Sequence, residues 1–532
     1  MDQKISLSQE THTIMKTRLE KESTPDPTDN LLRANDDETI QPSLYDVIPQ
    51  IIASCIAHCT MIQAGINIGY SSILTDGLEK EGVSKEERSW IASLSTISLP
   101  IGALMFGPLM DRYGRKKVCL GSCLPSLVSW AILMKGHSPN EVYFARIIAG
   151  FSAGLSTGSL VYISEITHPW IRSVLLSFHS VFASLGILIT TCLVSWFDWD
   201  DMAFIFFSIT LSVFFMLLFV PESPHWLICF SNEELDERKN QVQSVLRRLN
   251  KSEKIYNEEL CRIYKISENL ELNGKTHDSV AEKVYHFLNH FKIPSVYKPT
   301  LILFILLIIQ QLSGTYAVIF YALDMFNSIC NQVDKGVDKY DALLILGIMR
   351  FIASLITALI SKKFGRRTLG IASGLGMTIS MFYLVLYINF KSNEDVNDFV
   401  KIFFNPEQKW IPVMALLFYV LASSLGFAMV PWTLIGELLP TSVRGTMGGV
   451  MISHAHIFMF GMVKGYHSMV EKIDVQGVFC FYGFVALLGC IFIYSFVPET
   501  LGKSFIEIER HFNKNEMSDH SFSKEKHNKS AA

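Results

Sequence analysis

Apolar and polar positions along the chain fall into long uncharged runs separated by short charged ones. Twelve runs stand out, at residues 47–70, 89–110, 118–134, 142–164, 174–197, 202–220, 299–326, 342–360, 368–390, 411–436, 446–467 and 476–497. Each is close to the roughly 20 residues that an α-helix needs to cross the hydrocarbon core of a bilayer. The pattern predicts an all-α membrane protein with twelve transmembrane helices, since no soluble core needs so many runs of this length. A polar stretch at 228–298 divides the runs six and six. Within it, EELDERKNQVQSVLRRL (233–249) and VAEKVYHFLNHF (280–291) place apolar residues at helical spacing among many charges, as short amphipathic helices do. The expected organisation is a tail at 1–44, a six-helix half at 45–227, a linker at 228–298, a second half at 299–500 and a tail at 501–532.

Composition agrees with this pattern. Charged residues are 18% of the 532 and the mean hydropathy is +0.29, whereas soluble domains carry about a quarter charged residues. A net charge of −4 says little by itself, but placement does. Four short loops, 111–117, 165–172, 361–367 and 437–444, hold 10 Lys and Arg in 30 residues. The other short loops (76–89, 135–141, 198–201, 327–341, 391–410 and 468–476) also hold 10, spread over 69 residues. Positive charge collects on cytoplasmic loops. Both termini and the linker are therefore expected in the cytosol of a multi-pass plasma-membrane protein. The first 44 residues contain no cleavable apolar stretch. The ten cysteines fall mostly in the spans or the linker, so no disulfide framework is expected.

The chain also repeats itself. YGRKK at 113–117 answers FGRRT at 364–368. Glu165 precedes Arg172 by the seven residues that separate Glu437 from Arg444. PES at 221–223 and PET at 498–500 follow the sixth and twelfth runs. Two parallel halves of this kind are a transporter architecture, with the substrate held near the midplane between them.

At these residues the sequence resembles a known family. GPLMDRYGRKK (107–117) is similar to the signature loop of the major facilitator superfamily. YISEITHPWIRS, PESPHWL, QQLSGTYAVIFY, VPWTLIGELLPTSVRG and VPETLGKSFIEIE resemble, in order, the remaining signatures of its sugar porters, facilitated trehalose transporters above all. The resemblance covers residues 45 to 510 or so. It implies a facilitative transporter working by alternating access, with a small sugar and the lipid bilayer as partners. Neither cofactor, metal site nor nucleic acid is expected.

The resemblance also implies a cytoplasmic gate made of Asp111, Arg112, Arg115, Arg146, Glu165, Arg172, Arg366, Arg367, Glu437 and Arg444. In the family such carboxylates pair with arginines when the protein opens outward and part when it opens inward. Exposed ion pairs contribute little each and are easily traded. Lys116, Lys117, Lys362 and Lys363 read better as headgroup anchors. Lys362 also stands where the second signature loop usually carries an acid. Gly150, Gly154 and Gly158 recur every four residues on one helix face, which suits close helix packing in lipid.

A sugar site needs amides and hydroxyls to exchange for water and a ring to stack on. Gln310, Gln311 and Trp432 match sugar-contacting positions of the family, and Tyr316 and Tyr321 lie on the same run as the glutamines. Three further candidates are departures from the hexose facilitators: Ser180 in place of a glutamine, Arg350 in place of an asparagine, and His456 in an altered Asn-Trp pair. A pocket with Arg350 and His456 suits a larger or even an anionic solute. Proton-coupled members carry an acid after a Gly-aromatic pair, and here Gly69-Tyr70 is followed by Ser71, which implies uniport. The competing readings are transport of another solute, proton symport, and a sensor without transport. A sensor would call for a longer signalling tail than the residues after 510, and no nucleophile–base set suggests an enzyme.

Overall fold

The computed structural model describes residues 43–136, 138–231, 233–272, 293–331, 339–361, 363–392, 410–439, 444–501, 508, 511 and 512. Every regular element among them is an α-helix. The first half contains α1 (Leu44–Lys80), α2 (Lys85–Tyr113), α3 (Arg115–Leu133), α4 (Pro139–Ser156) continued by α5 (Ser159–Ile166), α6 (Pro169–Leu193) and α7 (Trp199–Leu218). The linker supplies α8 (Pro224–Cys229), α9 (Leu235–Leu249) and α10 (Glu253–Leu272). The second half contains α11 (Pro294–Leu312) with α12 (Ala317–Phe320) and α13 (Ala322–Asn331), then α14 (Lys339–Ile360) and α15 (Arg366–Ser392). It ends with α16 (Trp410–Leu425), α17 (Val430–Leu438) and α18 (Arg444–Phe496).

Eleven of these segments are long and apolar enough to cross a bilayer. The last, Met447–Phe496, has 50 residues, about 75 Å of helix against a core of about 30 Å. It bends at Asp474, whose φ of 58° and ψ of 171° leave helical space. This helix therefore makes two crossings, which gives the twelve that the pattern predicts. Large apolar side chains such as Ile101, Leu104, Phe204, Phe215, Leu301 and Ile379 lie exposed on the outside of the bundle, where lipid is their natural solvent.

Helix starts follow from local chemistry. Ser84 and Ser138 open α2 and α4 with reciprocal capping boxes to Glu87 and Glu141, satisfying N–H groups that the helix itself cannot. The α1 helix runs past the predicted edge to Lys80. The expected loop at 76–89 thus shrinks to residues 81–84, because nothing before Gly82 breaks the helix. The α4 glycine face packs directly on α2: a Cβ on Gly150 would lie 2.0 Å from the Ser95 carbonyl oxygen, and one on Gly154 2.2 Å from that of Leu99.

The halves meet where α14 packs on α6 and α18 on α2. In the linker, α9 is the helix expected from its spacing, and α10 is one not expected. Leu227, Ile228, Val242, Leu246, Tyr256 and Ile263 form its own small core. The 280–291 helix and the 1–42 tail lie outside the described residues. Gln50 ties the linker to the bundle, donating to Asn250 Oδ1 at 2.7 Å and accepting from the His168 backbone at 2.8 Å.

Candidate functional site

Two carboxylate–guanidinium clusters stand on the linker side of the bundle, one in each half. In the first, Arg115 clasps Glu165 through Nε and Nη2 at 3.0–3.1 Å, and its Nη1 reaches Asp111 at 3.1 Å. In the second, Arg366 holds Glu437 at 2.8–3.4 Å in the same two-pronged way. Such bidentate pairs fix geometry as well as charge.

The PES and PET motifs complete both clusters, a role that their repetition signals but that the sequence reading did not assign. The hydroxyls of Ser223 and Thr500 donate to Glu165 and Glu437. Glu222 accepts from the backbone N–H groups of Arg115, Lys116 and Ser223 at 2.9–3.0 Å. Glu499 likewise accepts from Arg366 and Arg367 at 2.9 and 3.2 Å. Each acid therefore caps the helix that begins with the paired arginine, where the helix dipole favours a negative charge. Burial pushes the Glu222 carboxyl above its usual value, against the pull of those N–H groups. The signature glycines make room for the caps. A Cβ on Gly114 would meet Glu222 Oε2 at 2.4 Å, and one on Gly365 would meet Glu499 Oε2 at 1.9 Å. Only Gly114 also has a left-handed φ, 104°.

The side chains of other expected gate residues make other contacts. Arg112 is exposed over the Tyr113 ring. Arg172 donates to the Thr167 carbonyl, and Arg367 to that of Tyr494. Lys362 and the side chain of Arg444 lie outside the described residues. Arg146 is the clear correction. It sits two turns from the opposite end of its span, fully buried, and binds Asn67, Ser71, Ser95 and the carbonyls of Asn67 and Ile91. Its place early in α4, which starts on the side away from the linker, puts it far from the signature loop. The halves are bridged on that far side, by Asp76 to Lys339 at 2.5 Å and to Tyr340 at 2.9 Å, and by Lys85 to Glu471 at 3.0 Å. The Arg115 and Arg366 clusters each close within one half.

Gln310, Gln311, Tyr316 and Trp432 gather around two breaks in the membrane helices. The seventh span breaks at Gly314, with φ of 84°, and the tenth between Leu425 and Val430. Broken helices at the midplane leave backbone groups that need partners. Gln310 supplies one, donating from Nε2 to the Phe427 carbonyl at 2.6 Å, while its Oε1 accepts from Gln311 at 3.5 Å. Gln310 is thereby committed to holding the breaks together. Gln311 keeps its own Oε1 without a partner among the described residues, although it is buried.

Trp432 Nε1 donates to the Tyr316 hydroxyl at 3.2 Å, and its ring lies 5.4 Å from that of His456. His456 Nδ1 bonds the Ile452 carbonyl at 2.7 Å; a carbonyl only accepts, so Nδ1 carries the proton. Arg350 is 4% exposed, and its Nε and Nη1 have no acceptor among the described residues. A cation at the middle of a membrane helix costs roughly 2.5–3.5 kcal/mol on insertion scales. Ser180 is half-buried on α6 beside His179. Tyr321 stands apart: its hydroxyl donates to the Val463 carbonyl at 3.0 Å and its ring stacks on Tyr466 at 4.6 Å. A separate cavity of about 10 Å³ between α1, α3 and α4, lined by Gln63, Asn67, Ser126 and Trp130 among others, has room for a water and none for a sugar.

Comparison with known proteins follows the same lines. The facilitated trehalose transporter of Apis mellifera ligustica is 30% identical over 470 residues, which are 86% of this chain and 88% of that one. That of Bombyx mori is 28% identical over 466 residues, 86% of both chains. Among solved structures, a major facilitator superfamily proton:xylose symporter bound to 6-bromo-6-deoxy-D-glucose matches with a TM-score of 0.68. It is 21% identical and covers 87% of this chain and 99% of its own. The xylose transporter from E. coli in its inward-open conformation gives 0.64 at 20% identity, over 86% and 98% of the two chains. These two carry the fold: twelve helices in two six-helix halves. The model of the sugar (and other) transporter family matches residues 53–512, and the chain belongs to that family, a multi-pass membrane transporter and not an enzyme.

Proposed function

We propose that this protein moves a sugar down its gradient as a uniporter, in the plasma membrane with both termini and the linker in the cytosol. Access alternates as the two halves rock about the site between them. The single observation that carries uniport is the set of partners around Arg146. Serine stands at position 71, and every oxygen that Arg146 binds belongs to a neutral group, Asn67, Ser71, Ser95 or a backbone carbonyl. A proton-coupled cycle needs a group that titrates as the site opens and closes, and none of these does so in the physiological range.

In this reading Gln311, Trp432, Tyr316 and His456 face the solute, Gln310 holds the helix breaks in place, and the Arg115 and Arg366 clusters brace the linker side of each half. The relatives named as trehalose transporters support trehalose as the first sugar to test. The test is uptake of labelled trehalose and glucose by liposomes containing the full-length protein, at two external pH values and with a protonophore. Saturable uptake indifferent to the proton gradient is expected. Uptake that collapses with the gradient would sink uniport, and its loss in Gln311→Ala with wild-type folding would place Gln311 on the path.

A further inference from the structure

Arg350 sits on the stripe of α14 formed by Gly347, Arg350, Ser354 and Thr357, all buried. A Cβ on Gly347 would lie 2.2 Å from Thr191 Oγ1 of α6, so this stripe faces the opposite half of the protein. Arg350, one turn further along, therefore lies at the seam between the halves, where an alternating-access path runs. Among the described residues no carboxylate forms an ion pair with it, and Nε and Nη1 lack any acceptor. The titratable group that it acts on is Tyr316. That hydroxyl already accepts from Trp432, so its own proton is free to donate. Arg350 offers donors only, and Tyr316 can add its hydroxyl proton. A buried charge is normally paired, and a guanidinium, which only donates, is complementary to a group that only accepts.

The acceptors lie on the neighbouring candidates. Gln311 Oε1 has no partner among the described residues, and His456, protonated on Nδ1, has Nε2 left to accept in its neutral form. Those two suit the hydroxyls of a sugar, and the Trp432 ring suits its apolar face. We propose that Arg350 is the counter-ion for an acidic group on the solute, so that the preferred substrate class is a sugar acid of the uronate type. This rests on the transporter reading above and narrows it. The guanidinium would also take a free inorganic anion such as chloride, and the experiment separates the two sources.

The experiment uses full-length protein in liposomes, labelled D-glucuronate, labelled glucose and trehalose, and the variants R350N and R350K. The expected result is saturable glucuronate uptake with a KM at least tenfold below that of either neutral sugar. R350N raises the ratio of the glucuronate KM to the glucose KM tenfold or more, and R350K keeps part of the preference. Competition by glucuronate against neutral-sugar uptake is read on the wild type, so a misfolded variant does not decide the matter. Neutral-sugar uptake that ignores both glucuronate and replacement of chloride by isethionate would overturn the proposal and leave the transporter reading intact. Chloride-dependent neutral-sugar uptake that loses this dependence in R350N would overturn the sugar-acid assignment and keep the anion site. No saturable uptake of any of the three sugars would overturn the transporter reading and this inference together.

Discussion

Two buried arginines, one in each half, show opposite ways of carrying a charge in a membrane. Arg146 is ringed by oxygens from α1 and α2, supplied by Asn67, Ser71, Ser95 and the Ile91 carbonyl. Arg350 is as deeply buried and finds none for Nε and Nη1. The first guanidinium is a structural rivet, since from α4 it satisfies backbone and side-chain acceptors of two other helices at once. The second has two donor groups without an acceptor among the described residues. Burial alone does not separate the two; the census of acceptors does.

The sharpest way to break this contrast is to delete both charges. Arg146→Ala strips several hydrogen bonds to a charged donor, each worth about 1.5–3 kcal/mol. A loss of at least about 3 kcal/mol is therefore expected, seen as a large fall in Tm or no folded protein. Arg350→Asn removes an unpaired charge, so stability should hold or rise by up to about 2 kcal/mol. A fall in Tm for Arg350→Asn as large as that for Arg146→Ala would erase the distinction.

The two linker-side clusters allow a finer comparison. Gly114→Ala must displace the Glu222 cap and also place a Cβ at φ of 104°; such backbone strain costs about 1–3 kcal/mol. Gly365→Ala displaces the Glu499 cap without that strain. Both should lower Tm, Gly114→Ala by more, and equal losses would mean that the cap clash dominates in each.

The clusters also differ in acid. His225 lies 3.9 Å from Glu165, and burial holds its pKa below the usual histidine value although Glu165 pulls the other way. A histidine with a depressed folded pKa binds protons more readily unfolded, so stability should fall as pH drops through about 6.5, its ordinary value. The second half has Gly502 at the matching place after PET. Tm measured from pH 7.5 to 5.5 should therefore decline more in the wild type than in His225→Asn, and parallel curves would count against His225. The smallest effect is expected for Arg112→Ala, which is exposed over Tyr113 and should change Tm by no more than the equivalent of about 0.5 kcal/mol.

What the sequence determined by itself was the set of elements and their repetition. Hydrocarbon thickness imposes a length on each span and makes charge rare within it, so twelve crossings can be counted from composition along the chain, even where α18 joins two of them. Motifs that recur at matching places, Arg115 with Glu165 and Arg366 with Glu437, were likewise legible, because paired charges leave a mark in sequence when the fold uses them twice. Only the tertiary structure decided which groups meet. It moved Arg146 from the gate to the far side, brought Glu222 and Glu499 onto helix starts, set Gln310 to mending a broken helix and left Arg350 Nε and Nη1 without an acceptor among the described residues. Those outcomes depend on oxygens contributed by helices distant in the chain, and neither a hydropathy run nor a spacing rule records where another helix's carbonyls will fall.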